Sequence, residues 1–154
     1  MDGLLNFADG QPFAIGSVSY FMGEPGEQAA GRLLLRIAVE GQWLIAAVDT
    51  GGHYLVCQPG LADALDPHLT DPLEEITLEI RGLKYRGTLY LLSVEIPASQ
   101  GENLVVPATV FIPKLAHGQV WLLPSFVGFA GVLDRLRFAV DPAADTFYFG
   151  PLEE

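Results

Sequence analysis

The residues best suited to chemistry in this chain are Asp49-Thr50-Gly51-Gly52, which follow directly on the apolar run Trp43-Leu44-Ile45-Ala46-Ala47-Val48. Such a run predicts a buried strand, and a carboxylate at its mouth needs a partner, because ionised side chains are costly to bury alone. Thr50 offers a hydroxyl. Gly51 and Gly52 lack a Cβ and can bring backbone N–H groups close to a carboxylate or a ligand. The same residues also suit an ordinary Asx-type turn after a strand. Other reactive side chains are less suggestive. His53, His68 and His117 are isolated from one another in spacing, so no metal site is predicted. The lone Cys57 has no partner for an intrachain disulfide and belongs to no Cys-x-x-Cys pair, so it reads as a buried structural thiol.

The elements that must position Asp49 are strands. With 154 residues, half of them hydrophobic, the chain fits one globular domain with a substantial core. Its 17 Gly and 11 Pro punctuate short runs of Val, Leu, Ile and aromatics, which points to an all-β or β-dominated domain. The formal charge of −11 repels phosphate backbones and anionic lipid, so neither nucleic acid nor a membrane surface is an expected partner. Met1 to Asn6 lacks the basic region and apolar core of a secretion signal, and no apolar stretch approaches membrane-spanning length; a soluble cytoplasmic protein is expected.

Residues 1 to 30 read as an arm, a strand from Pro12 to Met22 and a solvated loop over Gly23 to Gln28. A hairpin follows, with Arg32 to Val39 as one arm, Glu40-Gly41-Gln42 as the turn and Trp43 to Val48 as a central strand apolar on both faces. His53 to Cys57 predicts a short strand, and Pro59 to Leu65 one or two helical turns. Ile76 to Ile80 and Thr88 to Ile96 form a second hairpin about the loop Arg81 to Gly87, which holds three of the eight basic residues. A strand over Asn103 to Ile112, bent at Pro107, precedes Phe126-Val127-Gly128, a short helix, and strands over Phe138 to Asp141 and Thr146 to Phe149.

From Leu33 to Phe149 this order resembles the retropepsin-like aspartic peptidases. In that family a hairpin leads into an apolar strand ending in Asp-Thr-Gly, then a small residue, a strand and a short helix. Ile45 to Val56 reproduces that order, and Phe126-Val127-Gly128 resembles the family's second landmark, two hydrophobic residues and a Gly ahead of a short helix and a last strand. The resemblance implies a closed acid-protease barrel over residues 31–154, with residues 1–30 packed on it as an arm and loop. It implies an aspartic endopeptidase without cofactor, acting on a peptide or protein substrate. Asp49, Thr50 and Gly51 would be the catalytic residues, and Gly52, Gly82, Leu83, Tyr85, Gly87 and Gly128 would line the substrate groove, with the second hairpin as a flap. One Asp-Thr-Gly supplies one carboxylate, whereas this chemistry needs two sharing a proton, so a homodimer with its two-fold axis between two Asp49 side chains is expected. Thr50 would then donate across that axis. The terminal strand, which pairs with the partner's termini in dimeric members, must in any case be covered. Two departures stand out: Gly52 where the family has Ala or Ser, and Phe129 where retroviral members carry an Arg used in an ion pair between subunits. Two other readings use the same residues: a retropepsin-like module that binds or dimerises without turnover, and an unrelated small β-barrel that binds an apolar ligand.

Overall fold

A computed structural model describes residues 4–153, and most of its regular structure is strand. In chain order the elements are β1 (Gly16–Ser19), β2 (Phe21–Met22), β3 (Leu33–Val39), β4 (Gln42–His53) and β5 (Leu55–Val56). A helical stretch follows, made of two 3-10 turns around α1 (Ala62–Leu65). Then come β6 (Glu74–Ile80), β7 (Leu83–Ile96), β8 (Gln100–Gly101), β9 (Leu104–Lys114) and β10 (Ser125–Ala130). A 3-10 turn over Leu133–Arg135, in place of the expected short helix, leads into β11 (Leu136–Asp141) and β12 (Thr146–Pro151).

Eight strands form one sheet in the order β2-β3-β4-β10-β5-β9-β7-β6, and a further pairing of β3 with β7 closes it into a barrel. Closure joins Ala38 to Glu95 and Val39 to Val94. The alternation read in β3 explains why this works: Leu35, Ile37 and Val39 all point into the core, where they meet Leu92, Val94 and Ile96 of β7 and Val106, Ala108 and Val110 of β9. Pro107 is tolerated because the Ser93 backbone opposite it bonds Glu40 instead, and β5 pairs with β9 only at Val110 and Phe111, so no ladder bond needs a Pro107 N–H. A smaller core of Ala47, Val56, Tyr85, Leu89, Phe111 and Phe126 lies on the other side of the sheet, beneath the β6–β7 hairpin.

Three expectations change on contact with the structure. β4 is not apolar-buried on both faces: Trp43 and Ile45 are exposed, and the Arg36 guanidinium lies 4.5 Å from the Trp43 ring. The Pro12 to Met22 stretch is extended only at β1 and β2, which Tyr20 separates by donating its N–H to the Asp145 carbonyl. The second hairpin has no seven-residue loop. It turns on Arg81 and Gly82 alone, and β7 begins at Leu83.

A second sheet, in the order β11-β12-β1-β8, takes up both ends of the chain. Phe147 and Phe149 of β12 are fully buried, so this sheet is fused to the barrel core rather than laid on it. Because β12 is hydrogen-bonded to β11 on one side and β1 on the other, it has no edge left for a partner's strand. The covering that the apolar sequence of β12 demands is supplied within the same chain.

Cys57, at the end of β5, is fully buried, and burial pushes its thiol up to about 12. The neutral thiol is the form that fits, so its contribution to stability is complete below the unfolded value near 9 and declines as pH rises from there toward 12. Native protein at about pH 8 should therefore resist iodoacetamide, with labelling completed only in denaturant, as mass spectrometry would record.

Candidate active site

The peptide around Asp49 makes the Asx-type hydrogen bond, from the Gly51 N–H to the Asp49 carboxylate, but the strand does not end there. β4 runs on through Asp49-Thr50-Gly51-Gly52 to His53, and β10 lies parallel beside it. Gly128 stands opposite Asp49 and Ala130 opposite His53, so four steps along β4 are matched by two along β10. The surplus pushes Thr50, Gly51 and Gly52 outward as a bulge with Asp49 at its base.

The bulge is tied down from within. The Asp49 carboxylate accepts the Gly51 N–H on Oδ1 at 3.1 Å. Its Oδ2 lies 3.7 Å from the Arg32 guanidinium, and both side chains remain about one third exposed, at 33% and 38%. A Cβ on Gly52 would sit 3.2 Å from Oδ2, so the missing methyl leaves that oxygen uncrowded. Thr50 is exposed. Beneath the bulge, Gly128 is required by contact: a Cβ there would lie 2.7 Å from the His53 carbonyl carbon, 2.7 Å from the Tyr54 oxygen and 2.8 Å from the Gly52 oxygen. All three are backbone atoms that cannot rotate away. Tyr54 carries a positive φ of 67°, costly for a bulky side chain. Two hydrogen bonds hold it there, its N–H to the Ala130 carbonyl at 2.7 Å and its carbonyl from the Gly128 N–H at 2.9 Å.

Asp49 opens into a cleft of about 340 Å³. Gly51, Gly52 and Gly128 share its lining with Asp49; Val56, Leu78, Ile80 and Phe126 give it an apolar wall, and Arg32, His53, Glu79 and Arg81 add charge or titratable groups. The β6 limb of the second hairpin therefore forms the cleft wall, with Ile76, Leu78 and Ile80 turned inward. The β7 limb does not. Gly82 and Leu83 are exposed at the tip and outside the lining. Tyr85 is buried in the smaller core, edge-on to Trp121 at 4.8 Å, and a Cβ on Gly87 would strike the Phe111 ring and the Ile112 carbonyl. These two residues pack the hairpin down and are not part of the lining of the Asp49 cleft. Their sequence carries the signal: in Lys84-Tyr85-Arg86-Gly87 the charges alternate with inward residues, as in a strand.

Sequence spacing does not disclose that Arg32 and Arg81 line the cleft or that Tyr54 packs beneath the bulge. Arg32 merely precedes a strand, and the positive φ of Tyr54 is invisible until the bulge before it is built. Among the described residues no three His, Cys, Asp or Glu side chains converge as metal ligands; His68 instead lies 3.6 Å from Glu40, outside the cleft. No helix among them is long and apolar enough to cross a membrane.

No family model and no curated protein matches the chain. A solved structure does: a retropepsin-like aspartic protease from Rickettsia conorii, 18% identical, with 89% of this chain and 94% of that one covered at a TM-score of 0.50. The match sets aside the reading as an unrelated small barrel, and the architecture of this all-β chain is the retropepsin-like fold.

Proposed function

We propose that the protein is an aspartic endopeptidase that works as a homodimer. The observation that carries this reading is the placing of Asp49: a carboxylate held by the Gly51 N–H, raised over the Gly128 crossing, at the floor of a cleft walled by a hairpin. Two such carboxylates brought together by a two-fold axis cannot both ionise easily and share one proton. The ionised oxygen takes a proton from a water lying between them, the protonated partner polarises the peptide carbonyl, and the proton is then passed to the leaving amine. Thr50 and Phe129 support a second copy at this face, since both are exposed beside Asp49 and a large apolar ring at the mouth of a site suits contact with another chain.

Purified protein incubated with a diverse peptide mixture over about pH 4 to 7, the range that favours a shared-proton dyad, should cleave, and sedimentation at the assay concentration should show a dimer. A monomer with full activity would sink the two-carboxylate arrangement. The same fold serving as a binding or dimerisation module is favoured by one observation, the Arg32 cation already beside Asp49; a folded dimer that cleaves nothing would decide for it.

A further inference from the structure

The β6–β7 hairpin turns on two residues with positive φ, Arg81 at 51° and Gly82 at 81°. Turns of this kind favour Asn, Asp or Gly at the first position, and a longer side chain there strains the backbone. Arg81 stays because its side chain is engaged. Nη1 donates to the Gln28 side-chain oxygen at 2.9 Å and Nη2 to the Gln28 carbonyl at 2.8 Å, while the guanidinium lies 5.6 Å from the centre of the Phe126 ring. Another strained hairpin turn follows the same rule: Glu40, at φ 46°, engages its carboxylate with the Ser93 N–H of β7.

Four residues beyond Gln28, Arg32 reaches Asp49. The stretch between is anchored at its base. Ala29 is buried, the Gly31 N–H donates to the Gly23 carbonyl, and the Gly23 N–H donates to the Arg32 carbonyl. One short segment thus grips the hairpin tip at one end and the site carboxylate at the other.

Resting on the peptidase reading, we propose that residues 28–32 are an intramolecular strap that pins the hairpin tip at the rim of the cleft and so restricts how far it opens to a substrate. The strap pins the hairpin tip through Gln28 and sets Arg32 at the cleft rim beside Asp49, so an extended peptide is admitted more readily when Arg81 releases Gln28. The cleft also holds His53 and Glu79, neither of which touches the strap in a hydrogen bond among the described residues.

The test uses the full chain with Arg81→Asn, which gives the turn a residue it favours and so preserves folding, beside Gln28→Ala. Amide hydrogen exchange at Gly82 and Leu83 should quicken by about tenfold or more in Arg81→Asn, with the amides of β9 unchanged. Cleavage of a peptide mixture should rise several-fold in Arg81→Asn and less in Gln28→Ala, which keeps the backbone carbonyl that accepts from Nη2. Unaltered tip exchange overturns the strap, and so does faster exchange with cleavage equal to wild type. If no chain cleaves, wild type included, the peptidase reading fails on its own, and faster tip exchange still supports the strap as a clamp on the cleft.

Discussion

Asparagine in place of Asp49 is expected to remove peptide cleavage, by at least about a thousandfold in kcat/KM, while leaving the fold intact. Asn has the shape of Asp and keeps an oxygen to accept the Gly51 N–H, so the bulge loses nothing it depends on. The Arg32 contact is lost, but at 3.7 Å between two side chains that are a third exposed it is screened by solvent and contributes at most a fraction of about 1 kcal/mol. What disappears is the ability of the pair to hold one negative charge and one proton. Mixing sharpens the result. When equal amounts of wild type and variant are allowed to exchange subunits, only roughly one quarter of the dimers keep both carboxylates, so activity should fall below the half that independent chains would retain. Activity remaining at half would mean that each chain works alone.

Alanine at Gly128 is expected to destabilise the fold at the candidate site itself. The added methyl meets three backbone atoms within 2.8 Å, belonging to Gly52, His53 and Tyr54. Relief would require moving the bulge that presents Asp49, with a cost of about 3 kcal/mol or more, or about 6 to 12 °C in Tm for a domain of this size. Gly82→Ala makes the control. Its φ of 81° is unfavourable for Ala, but nothing lies within 4 Å of the new methyl, so the loss should stay near about 1 kcal/mol. Thermal unfolding of the two variants separates a steric requirement from a conformational one. If Gly128→Ala melts with Gly82→Ala, the crossing beneath the site is not the constraint described above.

Much of this architecture is legible in the sequence because it depends on period and punctuation. The β3 alternation at Leu35, Ile37 and Val39 already states which side of the hairpin faces the core. What escaped reading depends on relations between distant segments. Asp49 reads from sequence as a turn residue, and its place at the base of a bulge shows only when the parallel neighbour β10 sets four steps of β4 against two of its own. Tyr85 and Gly87 alternate with charges as strand residues do, but the partners they pack against, Trp121 and Phe111, lie more than twenty residues away and cannot be read from that pattern. Arg32 and Arg81 carry no motif at all. Their roles come from the three-dimensional path of residues 28–32.

The enclosure of β12 between β11 and β1 bears on how the proposed dimer would live in solution. A protomer whose terminal strands are already paired can complete its fold in isolation, so association is a separate event governed by mass action. Contact between copies would then rest on side chains around Asp49, Thr50 and Phe129, without a shared strand to lock it. Pairing of that kind is rapid and reversible, and catalytic output would scale steeply with the amount of chain present: dilution alone would silence the enzyme while leaving every molecule folded.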